Sequence, residues 1–108
     1  MGGSFFIQIF GDYPSIKVLD FLMENYMFDY SKAQIAELSG VSFNTLETFW
    51  VKLEGNGIIK KTRMVGKSQM YQMDRDSPVS KMLLEIDKKL ILDSISTEEP
   101  AKIAVRKR

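Results

Sequence analysis

The chain has 108 residues and a net charge of only +1, with 44% hydrophobic and 27% charged residues, the profile of one ordinary globular domain near the size where a single core just suffices. It contains no cysteine and no histidine, which excludes disulfides, thiolate nucleophiles, Cys/His metal sites and histidine acid–base chemistry together. No apolar run approaches the roughly 18 residues of a membrane span, and no charged leader with a cleavage site is seen, so a cytoplasmic protein without metal or cofactor is expected.

Met1 to Ser4 reads as a flexible end, and Phe5 to Phe10 (FFIQIF) is too apolar to stay in water. Its period fits a short strand, an extended arm lying on a partner subunit, or a helical turn. Gly11 and Asp12 break the run, and Pro14 suits the first turn of a helix expected to reach about Asn25. Ile16, Leu19, Leu22, Met23 and Tyr26 share one face of it. Phe21 points away from them, as an isolated surface aromatic or as a contact.

After a connector from Met27 to Tyr30, Ser31 and Gln34 have the S-x-x-Q spacing of a capping box, so a helix opens there. Ile35, Ala36 and Leu38 follow on its buried side, and Gly40 sits where a helix ends in a left-handed conformation. Ser42 caps a second helix, along which Leu46, Phe49, Trp50 and Leu53 form one apolar stripe. The Gly55-Asn56-Gly57 cluster ends it. Ile58 to Met64 and Gln69 to Met73 then read as a hairpin whose turn, Val65 to Ser68, carries Lys67 outward. Asp76 or Ser77 with Pro78 starts a last helix, running to about Ile95. Its apolar residues fall on two sides, Val79, Met82, Leu83, Ile86 and Leu90 against Leu84, Ile91 and Ile95; one side can dock on its own domain and the other needs a second subunit. Residues 96–108, ending Arg106-Lys107-Arg108, read as a flexible basic tail.

KAQIAELSGVSFNTLETFWV (Lys32 to Val51), with Ala36, Gly40, Val41 and Leu46 at the helix crossing and turn, resembles the helix-turn-helix of winged-helix transcription regulators, particularly small archaeal and bacterial ones of the MarR and ArsR kind. KLEGNGIIKKTRMVGKSQMYQMD (Lys52 to Asp74) is similar to that family's helix end, strand entry, two-stranded wing and return, and the resemblance covers about Gly11 to Leu92. It implies a mainly α fold with a small β-hairpin wing: a three-helix core plus a C-terminal dimerisation helix. One domain would span 1–95, including the arm 5–10 and the dimerisation helix 78–95.

The function implied is a sequence-specific regulator that binds double-stranded DNA as a homodimer on a palindromic site, with the recognition helix 43–54 in the major groove and the wing 58–73 on backbone or minor groove. Exposed positions at the start of that helix are Ser42, Phe43, Asn44, Thr45, Glu47 and Thr48. Asn44 suits adenine, Glu47 cytosine N4 and Phe43 a thymine methyl; the hydroxyls suit phosphate. Lys52, Lys60, Lys61, Arg63 and Lys67, with Gln69, would add backbone contacts. From Ile58 to Met73 there are four basic residues and no acid, whereas Met1 to Tyr30 has one Lys against four acids. Lysines on a wet hairpin also serve solubility. Phe21, Leu84, Ile91 and Ile95 are the expected dimer interface. The recognition helix departs from the pattern in having no Arg or Lys before Lys52, while carrying Glu47 and Glu54, which keeps a winged-helix protein–protein interaction module as the alternative. An enzyme is not expected: Gly55 and Gly57 lack the phosphate-loop pattern, and Asp74 and Asp76 read as caps. A small-molecule effector is compatible with the resemblance, but no polar constellation identifies one.

Overall fold

The computed structural model describes residues 4–97. Eight elements follow in order: α1 (Phe5–Phe10), α2 (Pro14–Glu24), β1 (Tyr30–Ser31), α3 (Lys32–Ser39), α4 (Phe43–Gly55), β2 (Ile59–Val65), β3 (Ser68–Met73) and α5 (Pro78–Thr97). The basic tail lies outside the described residues except for its first two positions, which extend α5.

Local chemistry explains most of these boundaries. At the start of α3 the Ser31 hydroxyl accepts from the Gln34 amide at 3.1 Å, and the Gln34 side chain accepts from the Ser31 amide at 2.9 Å, the reciprocal capping box. Gly40 ends α3 at φ 76°, with the Gly40 amide bonded to Glu37 O and the Val41 amide to Ala36 O, a Schellman motif that buries Val41. The same device closes α4: Gly57 at φ 74° donates to Glu54 O, and Ile58, also buried, donates to Leu53 O. Ser42 caps α4 and Ser77 caps α5, each accepting from the amide three residues on.

The sheet has three antiparallel strands in the order β1-β3-β2 rather than the two expected, because Tyr30 and Ser31 pair with Tyr71 and Met70 just before α3 begins. Two residues carry too little periodicity to be read as a strand. In the β2-β3 hairpin Val65 pairs with Ser68 across Gly66-Lys67, and the register slips by one between Lys61 and Met64, a bulge that opposes Thr62 and Arg63 to Met70.

The core gathers Val18, Leu22 and Met23 of α2, Ile35 and Ala36 of α3, Leu46, Trp50 and Leu53 of α4, and Ile59, Tyr71 and Met73 of the sheet. Leu38, expected inside, is exposed, because the crossing with α4 is made by Ile35 and Ala36 and the helix ends before another inward turn. Buried Val18 and Asp20 were not on the expected face of α2; that helix is covered on several sides, by α1, α3, α4 and α5. Of the three readings open for residues 5–10, the helical one is observed: Ser4 caps α1, Phe6 enters the core, and α1 packs on α2 and α5 of its own chain. Phe21 is a contact, its ring 5.1 Å from Tyr30.

Helix α5 docks by neither apolar side as a whole: Leu83 and Leu90 of one and Leu84 of the other pack on the core. The stripe turned inward is Ser80, Leu83, Leu84, Asp87, Leu90 and Ser94, which lies between the two expected groups. Ser80 is completely buried and its hydroxyl donates to Ile58 O at 3.3 Å. A small hydroxyl lets α5 approach the backbone that leads into β2, and both apolar flanks stay in water: Val79, Met82 and Ile86 on one side, Ile91 and Ile95 on the other.

Candidate nucleic-acid interface

Helix α4 presents Phe43, Asn44, Glu47 and Thr48 outward, while Leu46, Trp50 and Leu53 face the core. Trp50 meets Tyr71 edge-on at 4.9 Å between ring centroids, which fixes α4 against β3. Lys61 is the direct cross-strand partner of Tyr71, so it leaves the sheet on the face that α4 packs against. Lys60, one residue earlier, leaves on the other face. Lys67 occupies the exposed turn and Lys52 the last turn of α4. The Trp50–Tyr71 contact thus sets α4 beside the strand pair from which Lys61 projects.

Several of the residues expected to touch DNA already have partners. Ser42 Oγ accepts from the Thr45 amide and donates to Thr45 Oγ1, and Thr48 Oγ1 donates to Thr45 O. Gln69 donates to the Arg63 and Met70 carbonyls and braces the bulge. Arg63 does not reach freely into solvent: its Nε and Nη2 fork onto the Asp29 carboxylate at 2.9 and 3.1 Å, and Thr62 Oγ1 donates to the same group at 2.6 Å. These hydrogen bonds hold the Asp29 carboxyl down at about 2 and keep the Arg63 guanidinium more firmly charged. Asp29 therefore ties the wing's bulge to the strand that leads into α3. Among the described residues, Asn44 and Lys52, Lys60, Lys61 and Lys67 make no side-chain hydrogen bond or ion pair with another side chain.

Two residues central to this face were missed by sequence reasoning. Asp29 had no local signal, since its partners lie more than thirty residues away. Lys32 had one. A cation at the first position of a helix opposes the helix dipole, and such a local conflict calls for a nearby acid. Lys32 Nζ lies 3.3 Å from Glu47 Oε2 on α4, 4.9 Å from the centroid of the Trp50 ring and 5.9 Å from that of Phe43. Trp50 itself is 3% exposed, and its Nε1 has no hydrogen-bond partner among the described residues.

The expected dimer residues separate. Leu84 is half-buried against its own core and Phe21 against Tyr30, whereas Ile91 and Ile95 are exposed. Between α2 and α5 lies an open groove of about 390 Å³, lined by the apolar Met23, Tyr26, Leu84, Ile91 and Leu92 and by the charged Arg75, Asp87 and Lys88. Among the described residues no three His, Cys, Asp or Glu side chains are placed to hold a metal ion, and no helix is long and apolar enough to cross a membrane.

No family model matches the sequence, and no curated protein matches it. Solved structures do. A Lactococcus lactis ZitR variant in its apo form has a TM-score of 0.58 at 17% identity over 85% of this chain and 69% of that one; a second ZitR structure matches at 0.56, of whose length this chain spans only 56%. The homodimeric winged helix-turn-helix DNA-binding domain Mb0332 of Mycobacterium bovis, a possible ArsR-family regulator, matches at 0.55 and 17% identity over 81% of this chain and 74% of that one. The repressor CouR, solved on a 23-mer DNA duplex, matches at 0.54 and 23% identity over 79% of this chain and 61% of that one. The chain has the winged helix-turn-helix fold.

Proposed function

We propose that the chain is a transcriptional regulator, not an enzyme, that binds double-stranded DNA with α4 in the major groove and the β2-β3 wing along the backbone or minor groove. The observation that carries this reading is the packing of α4 on the wing: Trp50 of α4 meets Tyr71, the cross-strand partner of the exposed Lys61, with Lys67 at the wing tip. Support comes from the folds it resembles, one a homodimeric DNA-binding domain and another seen on duplex DNA. Asn44 reads a base edge, the Ser42–Thr45 turn and the α4 amides meet phosphate, and Lys52, Lys60, Lys61 and Lys67 supply charge. Arg63 and Gln69 shape the wing in this reading and contact DNA only if the Asp29 fork opens.

Two copies joined through exposed apolar residues of α1 and α5, among them Ile9, Phe10, Ile91 and Ile95, form the regulator. A closed two-fold arrangement with recognition helices about 34 Å apart fits successive major grooves and a palindromic site. The groove between α2 and α5 is where a small-molecule effector would act on this assembly. Fluorescence anisotropy of labelled duplexes tests the reading. Binding is expected, weakened for all sequences by Lys61→Ala or Lys67→Ala, with the log-log salt slope flatter by about 0.9 for each phosphate that is no longer neutralised. Failure of genomic and random duplexes alike to bind at low salt overturns it in favour of a protein-interaction module built on Phe43. Sedimentation of wild type against an Ile91→Glu, Ile95→Glu variant tests the dimer, and a wild type still monomeric at about 100 µM, the range of weak association, removes the palindrome.

A further inference from the structure

The start of α4 lacks the basic residue that most often reads guanine, and its one acid there, Glu47, would repel phosphates if left alone. The structure supplies the missing cation from another helix. The Ser31 capping box fixes the first turn of α3, and Lys32, its first residue, crosses the helix-turn-helix to Glu47. Its ammonium sits over the Trp50 and Phe43 rings, which limits the conformations open to a flexible side chain. Glu47 and Phe43 are one helical turn apart on the exposed side of α4, so Lys32 adds a donor to the row that holds the acceptor.

The two polar tips are 3.3 Å apart. In the major groove a C·G pair displays the cytosine N4 donor beside the guanine O6 acceptor, and since these two atoms are hydrogen-bonded to each other they lie about 2.9 Å apart. An acceptor and a donor at nearly that spacing form the complementary edge. We infer that Lys32 and Glu47 act as one unit that reads a C·G base pair, with the Glu47 carboxylate accepting from cytosine N4 and the Lys32 ammonium donating to guanine O6. The inference rests on the DNA-binding reading and deepens it: Lys32 is a specificity-determining residue outside the recognition helix, and the pair brings no net charge to the groove.

Selection of preferred sites from a randomised duplex pool by the full chain, followed by anisotropy titrations of wild type, Lys32→Met, Glu47→Ala and the double variant, tests it. Each half-site is expected to contain a C·G pair whose replacement by A·T weakens wild-type binding about tenfold or more, while either single variant discriminates less than about twofold there and the double variant loses nothing further. Glu47→Ala removes an exposed side chain and its ion pair with Lys32 but no core residue, so the comparison survives even if Lys32→Met, which removes the cation over Trp50, melts early. An intact C·G preference in Glu47→Ala or in folded Lys32→Met overturns the inference while leaving DNA binding in place. So does an equal loss on selected and scrambled duplexes, which marks simple phosphate attraction. A wild type that binds no duplex overturns the DNA reading and this inference together, and is told apart by that result alone.

Discussion

The α3-α4-wing half of the molecule and the α1-α5 half are built on opposite rules. In the first, each helix buries one apolar stripe, with Ile35 and Ala36 of α3 and Leu46, Trp50 and Leu53 of α4 inside, while Leu38, Phe43 and Val51 stay outside among polar neighbours. In the second, the longest helix turns Ser80, Asp87 and Ser94 toward its own domain together with Leu83, Leu84 and Leu90, and leaves five large apolar residues of its two flanks in water. Amphipathicity identifies the docking face where a helix packs by one stripe, as α4 does, and fails where several elements share the helix, as on α2 and α5. In α5 the exposed apolar residues are divided between two flanks, and its own domain receives the stripe between them.

Identical truncations in the two halves should therefore behave differently. Leu46→Ala, at a position with no exposure, is expected to cost about 2–5 kcal/mol. Ile91→Ala should change the stability of the dilute monomer by less than about 0.5 kcal/mol while weakening self-association. Denaturant titrations at low concentration check the first, and sedimentation across a concentration series checks the second. Comparable losses of monomer stability would break the comparison, because the flank of α5 would then be packed within one chain.

Legibility followed the same division. The helix-turn-helix was readable because each boundary has its own local chemistry: the Ser31–Gln34 box, the left-handed Gly40, the Ser42 cap and the stripe from Leu46 to Leu53. The hairpin was readable from Gly66 and the flanking strands, its tip being shorter than expected. What could not be read depends on residues far apart in sequence. The third strand needs Tyr71 opposite Tyr30, the wing's brace needs Asp29 beneath Arg63, and the docking stripe of α5 needs a hydroxyl opposite the Ile58 carbonyl. Site residues fared likewise: exposure of Phe43, Asn44 and the wing lysines followed from helical and strand period, but the engagement of Arg63, Gln69 and Glu47 by other groups did not.

A more selective test addresses the docking stripe. Ser80→Leu would make α5 look more conventionally amphipathic, yet it inserts extra methylenes at a completely buried position and removes the bond to Ile58 O. The expected cost is about 1–3 kcal/mol, as for overpacking elsewhere. A gain in stability, read as a rise in the denaturation midpoint at unchanged slope, would show that the close approach of α5 is not required.

The smallest expected effect is one of sign, and it contrasts the two halves most directly. In the wing, Arg63 and then Thr62 hold the Asp29 carboxyl down to about 2 from an ordinary value near 3.8. A depressed carboxyl adds stability that is present above the unfolded value and is lost as pH falls through the folded one, so the brace fades between about pH 4 and 2. At the α2-α5 contact burial comes first, and then the neighbouring Asp20 carboxylate, in pushing Asp87 up; Glu24 is raised by the same two causes and further by Asp87. Asp20 also accepts from Ser4 Oγ at the start of α1, and Lys88 and Arg75 line the same groove as Asp87. For a raised carboxyl the sign reverses: its contribution is full below the unfolded value and is lost as pH rises through the folded one. Acidification from neutrality should therefore tighten α5 on α2 before the wing is affected, and further acidification should loosen the wing. Because these groups are largely solvated, Asp87→Asn at neutral pH should stabilise by no more than about 0.5 kcal/mol, and it should flatten the response of α5 without altering that of β2. Amide exchange followed segment by segment from pH 7 to 3 reads both, once the intrinsic pH dependence of exchange is removed. Protection of α5 that falls in step with the wing would show that one global titration, and not two opposed local ones, governs the acid behaviour of the chain.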